Sequence, residues 1–204
     1  GSSEEAARAL QRATELNPRD ANALYVLATL YEEMGEPKNA LAAYVEAIRV
    51  QPRFTEAWIN AGAIHQDAGD SKAALQAYRR ALRLDPTNTI ILLNIGDVLL
   101  DQGQLDEADN AYQTVLTLDA KNVDALAGSA MVLTERADSA VGGASRGQAL
   151  EEAGHLLRTA LGIAPADPVL HHDLAQIQLA LEQRDAATAS YRQYRALGGS
   201  LDAE

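Results

Sequence analysis

The side chains best suited to chemistry lie next to one another at His171, His172 and Asp173. Imidazole and carboxylate groups bind metals and transfer protons, so this cluster is the strongest candidate for a metal site or an acid–base site. Adjacent residues on a helix point in different directions, and the three side chains would not converge on one ligand. We therefore expect a packing role for His171, which shares the register of Trp58 and Leu92, and no metal at the cluster.

The other candidates for chemistry are isolated. His65 occupies the position that Tyr31 and Leu99 hold in neighbouring copies of an internal repeat, which predicts a core histidine and not a general base. Acidic pairs such as Glu32 and Glu33 have the spacing of a solvated helix face. The chain has no cysteine nucleophile and no phosphate-binding glycine loop. The sequence predicts neither an enzyme nor a cofactor.

The composition predicts a folded, all-helical protein. Hydrophobic residues make up 47% of the 204 residues, aromatic residues only 4%, and alanine is abundant. The net charge of −12 disfavours nucleic acid and anionic membranes as partners, and no apolar run is long enough for membrane insertion. The absence of cysteine fits the cytosol and the periplasm equally well, so the compartment stays unassigned, with the cytosol as the default.

The internal repeat organises the chain. The interval from Pro18 to Pro52 equals that from Pro52 to Pro86, which sets a period of 34. Three further residue types keep the same period, namely Gly35, Gly69 and Gly103; Ala40, Ala74 and Ala108; and Tyr44, Tyr78 and Tyr112.

The register shifts once. One period after Ala120, the degenerate copy of these prolines, the next proline would fall at position 154, but the chain places it at Pro165. The pattern then resumes with this offset at Ala153, Leu157 and Ala160. The difference between 154 and 165 indicates an 11-residue insertion.

Each repeat predicts two helices joined by a tight turn. In the repeat that starts at residue 55, Gly69 supplies the left-handed residue that ends the first helix. Asp70 is a candidate N-cap for the second helix, and in the preceding repeat Pro37 suits a first helical turn. The second helix places Tyr78 among alanines before Pro86 ends it.

This pattern resembles the tetratricopeptide repeat, in which Trp or Leu, Gly and Tyr mark the first helix and Ala, Tyr and Ala mark the second. The resemblance implies an all-α, right-handed solenoid of antiparallel helix pairs, with one N-terminal half repeat and five repeats. We expect the half repeat at 4–20 and full repeats at 21–54, 55–88, 89–122, 123–167 and 168–199. Residues 1–3 are interpreted as a cloning scar.

The 11-residue insertion belongs to the fourth repeat. It contains the glycine-rich sequence VGGASRG at 141–147, which has no strand before it. We expect residues 137–149 to lengthen the turn within the fourth pair as a flexible connection, because such turns tolerate insertions.

In proteins of this family the first helices line a concave groove. The resemblance therefore implies that the groove side chains here are mainly acidic and apolar. The predicted partner-binding residues are Tyr25, Thr29, Glu33, Glu56, Ile59, Asn60, Asp67, Ile90, Leu93, Asn94, Asp97, Asp101, Asp124 and Glu135. Met131, Asp173 and Gln176 are predicted to face the same groove.

The charges are segregated between the two kinds of helix. Arg136 is the only base on a first helix, whereas arginines such as Arg79, Arg80 and Arg83 lie on second helices. The basic clamp with which chaperone-binding members of the family hold a C-terminal carboxylate is therefore missing. Asn60 and Asn94 are similar to two rungs of the asparagine ladder of O-linked N-acetylglucosamine transferases, or they solvate their helices.

These features favour a protein-interaction module that binds a partner peptide or helix with basic and apolar residues. The alternative from another class is a substrate-recruiting arm of a larger enzyme, for example a glycosyltransferase-like one, whose catalytic domain lies outside this sequence. A structural alternative is self-association through the half repeat, where Ala6, Leu10 and Ala13 lack a partner helix.

Overall fold

The computed structural model describes residues 2–140 and 142–200. Within those ranges the chain forms eleven α-helices and no strand, and consecutive helices pack in adjacent pairs, which confirms the expected fold class. The helices are α1 (Ser2–Leu16), α2 (Ala21–Glu33), α3 (Pro37–Val50), α4 (Thr55–Asp67), α5 (Ser71–Leu84), α6 (Thr89–Asp101), α7 (Leu105–Leu118), α8 (Val123–Ser139), α9 (Gly143–Ile163), α10 (Pro168–Ala180) and α11 (Arg184–Ala196).

The chain divides into two compact units, Gly1–Val98 and Leu99–Glu204. In the first unit α2 packs on α3 and α4 packs on α5, while α3 packs on α4 and α1 on α2. Its core contains Tyr44, which is fully buried, among small residues such as Ala28, Ala40 and Ala57. Small residues bring the helix axes close together, and the tyrosine ring fills the space that remains.

In the second unit α8 packs on α9 and α10 packs on α11, while α7 contacts α8 and α9 contacts α10. The core here uses aliphatic side chains, with Leu150 and Leu157 buried beside Ala153 and Ala160. These residues continue the register that the sequence predicts after the insertion. The two units therefore repeat one packing scheme with different large residues.

The turns within pairs share one backbone geometry. Gly35, Gly69 and Gly103 have φ angles of 71°, 74° and 68°, in the left-handed region that ends a helix. Asp70 caps α5 by accepting a hydrogen bond from the amide of Ala73 at 3.1 Å, and Pro37 stands in the first turn of α3, both as expected. In the last pair the same position is taken by Glu182, with φ of 61°.

Most of the insertion is helical, with residues 137–139 in α8 and 143–149 in α9, so the expectation of a lengthened, flexible turn at 137–149 is wrong for these residues, while Val141 lies outside the described ones. Helix α8 has 17 residues where α2, α4 and α6 have 13, and α9 has 21 residues where α3, α5 and α7 have 14. The additions to α8 and α9 amount to about one and about two helical turns, so both helices keep their buried faces in register. Ala137, in the added part of α8, is completely buried.

Helix α1 packs on α2 through Ala7, which is buried, and Leu10, which is partly buried. Ala6 and Ala13 are exposed along the same helix. Helix α1 begins at Ser2, ahead of the expected start of the half repeat at position 4. Self-association through this surface stays a prediction.

The positive φ angle of Glu182 suggests that glycine at this position would stabilise the protein. A side chain at positive φ costs about 1–2 kcal/mol, and glycine avoids this cost at the expense of a more flexible unfolded chain. Glu182→Gly should therefore raise the free energy of unfolding by about 0.5–1 kcal/mol in chemical denaturation. Ala189→Gly, at an exposed position inside α11, is the control and should lower the free energy of unfolding by about 0.5–1 kcal/mol; a loss of stability in Glu182→Gly would contradict the turn geometry.

Because the insertion is mostly helical, replacing a buried and an exposed alanine in it should change the free energy of unfolding by different amounts. Ala137→Gln places a long polar side chain in the core and should lower the free energy of unfolding by about 1–3 kcal/mol. Ala144→Gln, at an exposed position in the added part of α9, should change it by less than about 0.5 kcal/mol. Equal, negligible effects in urea denaturation would restore the interpretation of a flexible connection.

Candidate functional site

The candidate site is described helix by helix as the first-helix surface, by which we mean the side of α2, α4 and α6, and separately of α8 and α10, that carries the residues predicted to face a groove. Eight of the fourteen predicted residues are exposed and six are half-buried. The exposed ones are Glu33, Glu56, Asp67, Ile90, Asp97, Asp101, Asp124 and Glu135; the half-buried ones are Tyr25, Thr29, Ile59, Asn60, Leu93 and Asn94. Exposed positions are therefore mainly acidic, and half-buried positions are polar or apolar.

In the first unit a chain of polar contacts supports this surface. The Asn60 side-chain amide donates hydrogen bonds to the hydroxyls of Tyr44 at 2.9 Å and Tyr25 at 3.2 Å. The Tyr44 hydroxyl in turn donates to the Glu32 carboxylate. Tyr25 also stacks on Phe54, with ring centroids 4.9 Å apart. Asn60 thus ties two neighbouring first helices to a second helix, a structural role for one of the two candidate ladder rungs.

Acidic side chains of α4 and α6 act on a buried tyrosine in the same unit. Burial raises the pKa of Tyr78 to about 12, and the negative charges of Asp67 and Asp97 add to the rise. The Tyr78 hydroxyl donates a hydrogen bond to the Gln66 side chain at 2.9 Å. Tyr44 also has a raised pKa, first because it is buried and then because it bonds to Glu32. The phenols therefore stay neutral at physiological pH beside an acidic surface.

At the equivalent position of the fourth repeat, glycine stands where the second and third repeats have Asn60 and Asn94. A Cβ atom added to Gly128 would lie 2.5 Å from the ring of Tyr112, which is fully buried. In the second repeat Asn60 fits beside the equivalent Tyr44 and donates to its hydroxyl at 2.9 Å, so an asparagine at 128 would require the Tyr112 ring to move. Gly62, at a different position of its repeat, approaches the ring of Tyr78 of its own pair at 2.6 Å.

The histidine cluster of α10 is divided between packing and surface. The Nε2 atom of His171 lies 3.0 Å from the carbonyl oxygen of Pro165, just as the Trp58 indole donates to the carbonyl of Pro52 at 3.1 Å. His172 lies against the ring of Tyr194, with centroids 5.2 Å apart. Its Nδ1 atom is 3.2 Å from Asp173 Oδ1, a contact between adjacent residues that the sequence reasoning did not expect.

Arg136, the one base predicted on a first helix, points to α7 and bridges two of its acids. Its guanidinium lies 2.8 Å from Asp106 and 3.1 Å from Asp109. The outer arginines Arg80 and Arg83 are exposed on α5. The one arginine of a first helix in the described part of the second unit is therefore engaged by a second helix.

A pocket of about 350 Å³ lies between α8, α9 and α10 in the second unit. Its lining includes Met131 and Glu135 of α8 and Asp173 and Gln176 of α10, four residues that the sequence predicts to face one groove. The structure brings these four together. Leu150 and Leu157 of α9 lie at its base and belong to the core of the unit.

Two charged lining residues were not predicted. Asp138 and Arg146 lie in the helical insertion, and they form an ion pair at 3.5 Å at the pocket. The glycines at 142, 143 and 147 favour a loop, so the sequence did not predict that residues 138 and 146 lie on helices at a groove. The signal that could have revealed them is the length of the insertion, because it equals about three whole helical turns.

Metal-binding groups and membrane-spanning helices are two further features for which the described residues can be inspected. Among residues 2–140 and 142–200, no group of three or more histidine or acidic side chains could hold a metal ion. In the same ranges no helix has both the length and the apolar character needed to cross a bilayer.

Repeated helix pairs with tyrosine-on-glycine packing and glycine-ended turns define the class of helical repeat proteins. Two family models, each described as "Tetratricopeptide repeat", match the chain, one at residues 1–44 and 25–89 and the other at 65–131. Together they span more than half of the sequence. The chain belongs to the tetratricopeptide repeat family, whose members are generally non-catalytic scaffolds.

Solved structures with low sequence identity share this fold. A tetratricopeptide repeat protein from Parabacteroides merdae has a TM-score of 0.82 and 19% identity, over 98% of this chain and 75% of that one. MamA from Desulfovibrio magneticus has a TM-score of 0.74 and 18% identity, over 90% and 97%. YrrB is described as a tetratricopeptide repeat protein with an unusual peptide-binding site. It has a TM-score of 0.67 and 21% identity, over 94% of this chain and 93% of that one. A search of curated proteins found no match.

The contact of Gly128 with Tyr112 predicts a steric penalty. Gly128→Ala should lower the free energy of unfolding by about 1–3 kcal/mol, because the new methyl group overlaps a buried ring. Gly147→Ala is the matched control in α9, where an added Cβ meets nothing within 4 Å, and should raise stability by about 0.5–1 kcal/mol. Thermal unfolding of both variants measures these changes. An unchanged stability of Gly128→Ala would show that the ring of Tyr112 is not confined.

Proposed function

We propose that this protein is an interaction module that binds a partner peptide or helix on the first-helix surface, which is the concave side in other proteins of the family. The partner segment carries lysine or arginine residues interleaved with apolar ones. Opposite charges steer such a segment to the surface, and apolar contacts then retain it.

The observation that carries this proposal is the exposure of acids and apolar side chains on the same helices. Glu56 and Asp67 on α4 are exposed, and Ile59 lies half-buried between them. On α6 the exposed Asp97 follows Ile90, which is 60% exposed. Acids beside apolar side chains on one helix suit a segment that carries basic and apolar residues, because charges and apolar groups can pair along the same path.

The similar structures support a protein partner in general terms. YrrB is described as having a peptide-binding site, and Cut9, another structural neighbour, was solved as a complex with Hcn1. At 21% and 18% identity these likenesses concern the fold, so the chemistry of the partner proposed here comes from the charges and exposure of this chain.

A selection from random twelve-residue peptides displayed on phage, with the full chain as bait, tests the proposal. Recovered peptides should be enriched in Lys or Arg together with Leu, Ile or Val. A selected peptide should bind Asp67→Lys/Asp101→Lys on the order of tenfold more weakly and with a smaller salt dependence than the unmodified chain. Both substitutions stand in the last turn of a helix, where a positive charge favours the helix, so the melting temperature should not fall.

Arg80→Glu/Arg83→Glu on the outer face of α5 is the matched control and should leave affinity unchanged. Selection of peptides without basic residues would contradict the proposal. Binding that survives reversal of the acids and is lost in the arginine variant would also contradict it, and would place the binding surface on the second helices.

A further inference from the structure

The helical insertion builds one wall of the pocket in the second unit. Asp138 lies in the turn added to α8, and Arg146 lies in the turns added to α9. Both line the pocket, and their side chains meet at 3.5 Å. A first helix of the ordinary length in this chain would end before Asp138, and a second helix of ordinary length would begin after Arg146. The pocket is therefore a feature of the fourth pair and not of the repeat itself.

The interior of the pocket is apolar. Leu150, Leu157 and Ile177 are buried core residues that reach its base. Met131 is 50% exposed on its side. A flexible thioether adapts to ligands of different shapes, and a surface of this kind suits the aliphatic stem of a long side chain.

The rim of the pocket has a net negative charge. Three carboxylates line it, those of Glu135, Asp138 and Asp173, against the single guanidinium of Arg146. Arg146 is engaged by Asp138. Asp173 meets the imidazole of His172, and Glu135 makes no hydrogen bond or ion pair with the described part of the chain. A cation that enters would find carboxylates not already neutralised by a lysine or arginine of this chain.

We propose that this pocket anchors one lysine or arginine side chain of the partner peptide, together with an adjacent apolar residue. The proposal rests on the proposed function and gives it a fixed point in the second unit. The volume of about 350 Å³ lies at the lower end of ligand pockets, which range over about 300–1,000 Å³. It is suited to a side chain and its neighbour. The stem lies along Met131 and the core leucines, and the charged end meets Glu135 and Asp173.

The two methionines of the chain provide a direct probe. Met131 lines the pocket, whereas Met34 packs against the core of the first unit. Labelling both methyl groups with carbon-13 gives two NMR signals, which Met131→Leu and Met34→Leu assign. The probe ligand is N-acetyl-leucyl-lysine amide, titrated to millimolar concentrations. It should shift the Met131 signal saturably and leave the Met34 signal in place.

Charge and position are tested separately. N-acetyl-leucyl-norleucine amide, which keeps the apolar stem without the ammonium group, should bind several-fold more weakly. Glu135→Gln should weaken the lysine probe by a similar factor, while Glu152→Gln, an exposed acid on the same unit, should not. A Met131 signal that does not move, equal binding of the neutral probe, or an unaffected Glu135→Gln would each overturn the proposal.

The failure of this inference can be told apart from failure of the proposed function. Phage-selected basic peptides that bind the full chain without moving the Met131 signal would overturn the anchoring pocket alone. The absence of any selected basic peptide would overturn the proposed function itself.

Discussion

The fold depends on the contact between a tyrosine ring of a second helix and a small residue of a first helix. The rings of Tyr78 and Tyr112 lie where a Cβ on Gly62 or Gly128 would be, so at these two contacts the helices approach through a glycine. A well-packed interior has no room to absorb a methyl group at such points. The regular period of the sequence reflects the packing of the second helices, in which Tyr44, Tyr78 and Tyr112 are buried among alanines in one register.

The second helices contribute the three fully buried tyrosine rings, Tyr44, Tyr78 and Tyr112, while the first helices carry the exposed acids together with half-buried and exposed apolar side chains. Where the two functions meet, polar contacts connect them, as when Asn60 bonds to Tyr25 and Tyr44. The acids of α4 and α6 also help to raise the pKa of Tyr78, which shows that their charge reaches the core. Packing and surface charge are therefore coupled through the tyrosines.

The fold could be predicted from the sequence because its determinants are local and repeated. Gly69 and Asp70 specify a turn whatever surrounds them, and the structure has both in the expected roles. The insertion could not be predicted in the same way, since Gly143 and Gly147 favour a loop locally and tertiary packing of Ala137 and Leu150 decides for helix. Asp138 and Arg146 were missed for that reason. The acidic character of the first-helix surface could be predicted from the sequence, whereas the pocket could not, because its lining comes from three helices that only the fold brings together.

The central claim is that partners bind on the first-helix surface and not on the outer faces of the second helices. Photo-crosslinking tests it most directly, with benzoylphenylalanine introduced singly at Ile59 and Met131 on first helices and at Arg80 and Arg158 on second helices, each mixed with the same selected peptide. The account predicts crosslinks from the first-helix positions and none from the arginine positions. Crosslinks confined to Arg80 and Arg158 would contradict it.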